Sequence, residues 1–234
     1  MMNQKSMFAK IFLWMFIGLF ITFGTAYYVS TQEFLMLNVL NLNWIWFILE
    51  IGIVLFLSAR ITKMSSFTAK LSFALYSFIT GLTLSYIFLV FLLPSILIIF
   101  LAAAFMFGIF GLIGYFTKVD LSKLSTILLM ALLGIIIASV INIFLGNATI
   151  DMIISIVGII VFVIFVAYDI QKAKLFATLD TIPEDNLAIY GALNLYLDFI
   201  NLYYLCLEIV ETKRKDLPKR MKFGILYRYL ISMT

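Results

Sequence analysis

Four ionisable side chains stand inside, or at the ends of, long apolar runs of this 234-residue chain: Glu50, Arg60, Asp169 and Asp198. A charge in hydrocarbon costs about 2.5 to 3.5 kcal/mol even on the mildest insertion scale, so a carboxyl there is a functional group by default, able to hold a proton or a cation. Asp198 is the sharpest of the four. It lies deep within YGALNLYLDFINLYYLCLEIV, and its side chain is too short to snorkel to water. At roughly 100° per residue, Gly191, Asn194, Asn201 and Leu205 share its stripe, so two amides and a glycine line one face with the carboxyl. A neutral aspartic acid making one interhelical hydrogen bond fits the same stripe.

Asp169 ends the run SIVGIIVFVIFVAYDIQKAK, with Ser155, Gly158 and Phe162 on its own face. Beside Lys172 it reads equally as a boundary residue facing the cytoplasm. Arg60 ends the second apolar run at a similar membrane depth, so an Arg60–Asp169 pair is geometrically possible; a lipid-phosphate anchor is the other reading of Arg60. Glu50 precedes Arg60 by ten residues, about 15 Å along a helix, too far for direct pairing. Its residue type alone fixes no role.

The elements that must position these groups follow from composition. The chain is 65% hydrophobic and 12% charged, with a mean hydropathy of +1.15. Soluble domains run about 45 to 50% apolar and about 25% charged, so a water-facing globule is excluded. Seven apolar segments, at about 11–29, 44–61, 69–93, 96–116, 125–145, 150–171 and 187–210, are long enough for membrane-spanning helices. Pro94 and Ser95 predict a tight hairpin between the third and fourth segments, and Gly146 with Asn147 closes the fifth. The expected organisation is one helical bundle over residues 1–210 and a basic tail over 211–234. Lys5 and Lys10 before the first run resemble a signal sequence, but the run is long and no A-x-A-like site follows, so it reads as a retained span.

With the N-terminus inside, the nine basic residues that precede the seventh segment all fall on the cytoplasmic side. The tail, with Lys213, Arg214, Lys215, Lys219, Arg220, Lys222 and Arg228, conflicts with that rule in a seven-span chain. Either the seventh segment crosses and the tail follows it, or the segment dips in and returns. Small residues crowd the fourth segment at Ala102, Ala103, Ala104, Gly108, Gly111 and Gly114, and Gly134 with Ala138 forms a small-xxx-small pair in the fifth, predicting close helix packing. Trp44 and Trp46 stand where an interfacial belt is expected.

Several chemistries are excluded outright. There is no His and only Cys206, so no His-containing zinc site, Ser-His-Asp triad or internal disulfide is available. The net charge of +4 lies mainly between and beyond the apolar runs, where it suits anionic lipid rather than nucleic acid. No phosphate-binding glycine motif is present to drive pumping, and no cofactor is implied.

The stretch AYDIQKAK, followed after a short loop by YGALNLYLDFINLYY, resembles the paired C-terminal signature of the Bax inhibitor-1 family, the transmembrane Bax inhibitor motif proteins, in its bacterial form. The resemblance implies an all-α integral membrane protein with seven transmembrane helices, six packed around a central C-terminal helix, in the bacterial plasma membrane. It further implies a pH-sensitive calcium-permeable leak in which Asp169 and Asp198 form a proton-sharing pair, and in which Arg60, in LSARI, is the arginine that engages the first aspartate.

Two carboxyls within hydrogen-bonding distance in a low-dielectric site cannot both ionise cheaply, so such a pair titrates as one unit. Calcium takes six to eight hard oxygen ligands, so Asp169 and Asp198, helped by Asn194, Asn201, carbonyls and water, would form a weak, passable site. Asp169 comes beside Asp198 if the sixth helix continues past Gln171 toward Phe176. The alternative function is a regulator of a membrane-bound protease or stress response that transports nothing. An enzymatic alternative, an intramembrane aspartyl protease, meets Tyr168 before Asp169 but Tyr196 and Leu197 before Asp198, where such enzymes carry glycines.

Overall fold

The structure is a computed structural model that describes residues 4–176, 178 and 182–212, with the side chains of Asn43, Trp44 and Phe47 outside that description. The tail expected from Glu211 onward lies, after Thr212, outside the described residues. In order the helices are α1 (Gln4–Ser30), α2 (Glu33–Asn41), α3 (Asn43–Arg60), α4 (Ser66–Leu84), α5 (Ile87–Val90), α6 (Leu93–Phe116), a 3-10 turn (Leu121–Leu124), α7 (Ser125–Leu145), α8 (Ala148–Phe176) and α9 (Glu184–Thr212). No strand occurs among the described residues. In lipid every backbone N–H and C=O must be satisfied within the segment, which is why uninterrupted apolar runs become helices.

The protein is therefore an all-α membrane protein. Among the described residues, six helical segments are long and apolar enough to cross a bilayer. The expected second of seven spans is α3, whose 18 residues cover about 27 Å. α9 is the most buried span, with 78% of its apolar window inside the protein against 28–61% elsewhere.

Local chemistry ends the helices. Ser65 accepts from the Thr68 N–H and opens α4. Gly146, at φ +66°, closes α7 in the left-handed conformation that suits glycine. The Asn147 side chain then accepts from Thr149 N–H at 2.9 Å at the start of α8. The third apolar run breaks earlier than Pro94: α4 stops at Leu84, α5 forms one turn, and Pro94 is already the second residue of α6, where its missing N–H has no helical partner to lose.

The chain forms two compact units. One is built chiefly from Met1–Leu93 and Ala173–Tyr196, the other from Pro94–Lys172 and the described part of Leu197–Met233. In the first, α1 buries Met7, Ile11, Met15, Gly18, Thr22, Ala26 and Val29, a stripe recurring every three or four residues. Its other face leaves Phe16 and Phe20 exposed, as lipid requires. α1 meets α4 where side chains are missing: a Cβ on Gly18 would stand 2.7 Å from Phe73 Cζ, and one on Gly81 would stand 2.7 Å from the Thr22 carbonyl. Thr22 donates to the Ser77 carbonyl at 2.9 Å, so across its 2.6 Å contact with Tyr196 the phenol is the donor. Trp46 is partly buried and packs on Val29, Val39 and Leu82 where α2 folds back over this end of the unit.

In the second unit Phe199 meets Phe100 and Phe107 edge-on at centroid separations of 5.1 and 5.7 Å. α6 closes on α8 at Gly114, whose added Cβ would stand 2.6 Å from Ala167 Cα. The other small residues behave differently. Gly108 and Gly134 have nothing within 4 Å of a Cβ position, so the pair Gly134 and Ala138 does not mark a close crossing.

Candidate functional site: the intramembrane carboxyls

The site in the second unit is assembled by the length of α8. Nothing in QKAKLF stops the helix, which continues through Gln171 to Phe176, so Asp169 belongs to the body of the helix rather than to its frayed end. Close approach of α6 at Gly114 and Gly111 fixes the turns around Ala167, Val166 and Ile170, the residues that flank Asp169. On α9, Phe199 is clamped between rings of α6 immediately after Asp198.

Asp198 is 5% exposed, and Asp169 is half-buried. The two carboxyls are hydrogen-bonded to each other. An ionised carboxylate only accepts, so a bond between two carboxyls requires that one of them carry a proton. No N–H or hydroxyl among the described residues bonds to the Asp198 Oδ2. Burial of such an oxygen is costly unless something reaches it, and a protonated Asp169 carboxyl is the donor this arrangement supplies. Lys172, one turn beyond Asp169, acts electrostatically on both carboxyls and holds its ammonium 5.8 Å from the centre of the Tyr168 ring.

The two amides take different places. Asn201 is buried and donates from Nδ2 to the Leu197 carbonyl at 2.8 Å, so that group is engaged on its own helix. Asn194 is half-buried and belongs to the first unit. Arg60, also in the first unit, is exposed at the end of α3. Among the described residues no three His, Cys, Asp or Glu side chains gather where one ion could sit, so a cation at Asp169 and Asp198 would draw its remaining oxygens from carbonyls and water.

Glu50, for which residue type gave no role, is wholly buried in the first unit. Thr80 donates to its Oε1 at 2.7 Å and Thr83 to its Oε2 at 3.0 Å. The T-x-x-T spacing, which puts both hydroxyls on one face of α4, was the available signal. Sequence reasoning also missed the start of α9. Asp185 binds Lys10 at 3.3 Å and Lys70 at 2.5 Å, and Glu184 binds Lys10 at 3.2 Å. Asn186, wholly buried, donates to the carbonyls of Ile61 and Met64 at 2.6 and 2.8 Å and accepts from Ser66 at 2.7 Å. It thereby satisfies carbonyls that the end of α3 leaves without helical partners.

Comparison with known proteins matches residues 4–215 to the profile of the family described as inhibitor of apoptosis-promoting Bax1. The inner membrane protein YbhL of Escherichia coli K12 is 41% identical over 214 residues, covering 88% of this chain and 91% of its own. A protein of Borreliella burgdorferi is 36% identical over 219 residues, covering 91% and 94%. One of Deinococcus radiodurans is 31% identical over 211 residues, covering 89% and 91%.

Proposed function

We propose that this chain, which belongs to the Bax inhibitor-1 family, is a proton-sensitive calcium leak of the bacterial inner membrane whose switch is the Asp169–Asp198 pair. The observation that carries the reading is the hydrogen bond between two carboxyls on different membrane helices, one of them buried. With one shared proton, the pair ties α8 to α9 and keeps a negative charge that Lys172 offsets. A second proton removes that charge and the attraction it supports, which favours separation of the helices. Hard oxygens with few fixed ligands suit a calcium ion that must leave as readily as it arrives. The inner membrane assignment follows the name of the Escherichia coli relatives.

The test is calcium flux into liposomes holding the purified protein, titrated between about pH 5 and 8. Asp169→Asn and Asp198→Asn should each flatten the pH dependence, and the double variant should add little, because coupled groups act as one. Arg60→Ala, at the position the family resemblance makes the latch, should raise leakage at neutral pH, with Lys restoring closure only in part. Parallel, merely scaled curves for the Asn variants would refute the switch. A folded protein that passes no calcium at any pH would favour a regulator acting on a membrane-bound protease instead.

A further inference from the structure

Gln171 stands two residues beyond Asp169 on α8, and its side-chain amide grips another segment of the second unit at two points. Its Nε2 donates to the Val119 carbonyl at 2.8 Å, and its Oε1 accepts from the Leu121 N–H at 2.8 Å. These are the two peptide groups on either side of Asp120, so one side chain pairs with the chain as a neighbouring strand would. The gripped segment, residues 117–124 between α6 and α7, is itself built. Thr117 N–H continues the α6 ladder to Ile113 at 2.8 Å, and Asp120 Oδ1 accepts from the Ser122 N–H at 3.0 Å and hydroxyl at 2.6 Å. A segment with its own internal bonds moves as a piece.

We propose that Gln171 is a positioning residue of the switch: it fastens the strap 117–124 to the α8 turn that carries Asp169, so that opening of the carboxyl pair and release of the strap are one event. The inference rests on the leak reading for its physiological meaning and on the two hydrogen bonds for its geometry. Asp169 is separated from Gln171 by Ile170 alone, and the helix is continuous between them, so an axial or rotational shift of α8 that parts Asp169 from Asp198 also pulls Gln171 from Val119 and Leu121. The charged groups of the second unit among the described residues are Lys118, Asp120 and Lys123 on the strap, Asp151, Asp169 and Lys172 on α8, and Asp198, Glu208 and Glu211 on α9. Asp120 is held below the ordinary aspartate range by the hydrogen bonds from Ser122, so it stays ionised while the pair titrates. The strap thus follows the pair rather than sensing protons for itself.

Two measurements test this in the full-length protein. Hydrogen exchange at the Leu121 amide, corrected for intrinsic rate, should show protection falling several-fold between about pH 8 and pH 6 in the wild type and staying constant in Asp198→Asn. Gln171→Leu, which removes both bonds at similar volume, should raise calcium leakage at neutral pH about fivefold and move the activation midpoint toward neutrality. Gln171→Glu keeps the acceptor for Leu121 and should fall between. Leu121 protection that is the same at both pH values while the wild-type leak remains pH-dependent would overturn the coupling and leave the leak reading intact. Protection that changes with pH in a protein that passes no calcium would keep the coupling and remove the leak. Unchanged leakage and midpoint in folded Gln171→Leu and Gln171→Glu would likewise overturn it.

Discussion

Replacing Gly114 with alanine tests whether close packing of α6 on α8 sets the carboxyl pair. An added Cβ would stand 2.6 Å from Ala167 Cα and 2.7 Å from its carbonyl carbon, whereas ordinary contact begins near 3.4 Å. The helices must therefore part by about 1 Å at this point. Because the obstacle is backbone rather than the end of a flexible side chain, little local relaxation is available, and the cost should reach the upper part of the usual range for overpacking, about 2 to 3 kcal/mol. Ala167 lies two residues before Asp169, so the displacement should also weaken the carboxyl hydrogen bond and raise leakage at neutral pH. Gly134→Ala is the control: nothing lies within 4 Å of its Cβ position, and helix propensity alone would stabilise it by up to about 1 kcal/mol. Unfolding titrations in mixed micelles, with liposome flux on the same preparations, compare the two. Equal stabilities within about 0.5 kcal/mol, or a destabilised Gly114→Ala with an unaltered pH profile, would refute the link between this crossing and the pair.

Other expectations concern the first unit and the strap. Asn186→Ala removes three hydrogen bonds, one buried and two part-buried, and strands the carbonyls of Ile61 and Met64, so it should cost about 3 kcal/mol in the same titration, and a loss below about 1 kcal/mol would contradict the assignment. Glu50→Gln can still accept from Thr80 and donate to Thr83, which has the Thr80 carbonyl to donate to at 3.0 Å, so it should stay within about 1 kcal/mol of wild type, while Glu50→Ala should lose about 3 kcal/mol by leaving hydroxyls unmatched beside a cavity. The depressed Asp120 contributes stability above the ordinary aspartate range that is lost only as pH falls through its own lowered value; Asp120→Asn should therefore leave the flux profile between about pH 5 and 8 unchanged, and a shifted midpoint would make Asp120 part of the sensor.

Much of the fold is legible because lipid imposes a single rule on long apolar runs, and six of the seven predicted spans correspond to single helices, the third being divided after Leu84 into α4 and α5. What escaped has particular causes. EFLMLNVLN is short and mixed, and only its packing over Val29 and Leu82 makes α2 useful. The break after Leu84 carries no proline, and the Ser85 hydroxyl takes up the Leu82 carbonyl at 2.7 Å instead. Small residues were read as crossings everywhere, yet Gly114 is crowded and Gly134 is open, since a glycine pattern does not say which face meets a neighbour. The carboxyls could be found because charge in an apolar run is conspicuous. Gln171 and Asn186 could not, because both recognise peptide groups of distant segments, and a peptide group leaves no residue type to match.

The need for such backbone clamps follows from the size of the switch. Helices in lipid gain little from apolar burial against one another, so packing and hydrogen bonds decide between arrangements that are otherwise close in energy. Moving an equilibrium from 1:99 to 99:1 takes about 5.5 kcal/mol, whereas a hydrogen bond involving a charged group contributes about 1.5 to 3 kcal/mol. The Asp169–Asp198 bond alone is then too weak for a steep response. The two bonds of Gln171, at about 1 kcal/mol each, hold the closed arrangement in either protonation state, so they set how far the resting equilibrium lies toward closure, while the proton acts through the pair and its attraction to Lys172. If the strap supplies that bias, Gln171→Leu should raise leakage at about pH 8 more than at about pH 6 and shrink their ratio about fivefold, without abolishing the response to protons. A full wild-type ratio in this variant would mean that the carboxyl pair switches the protein unaided.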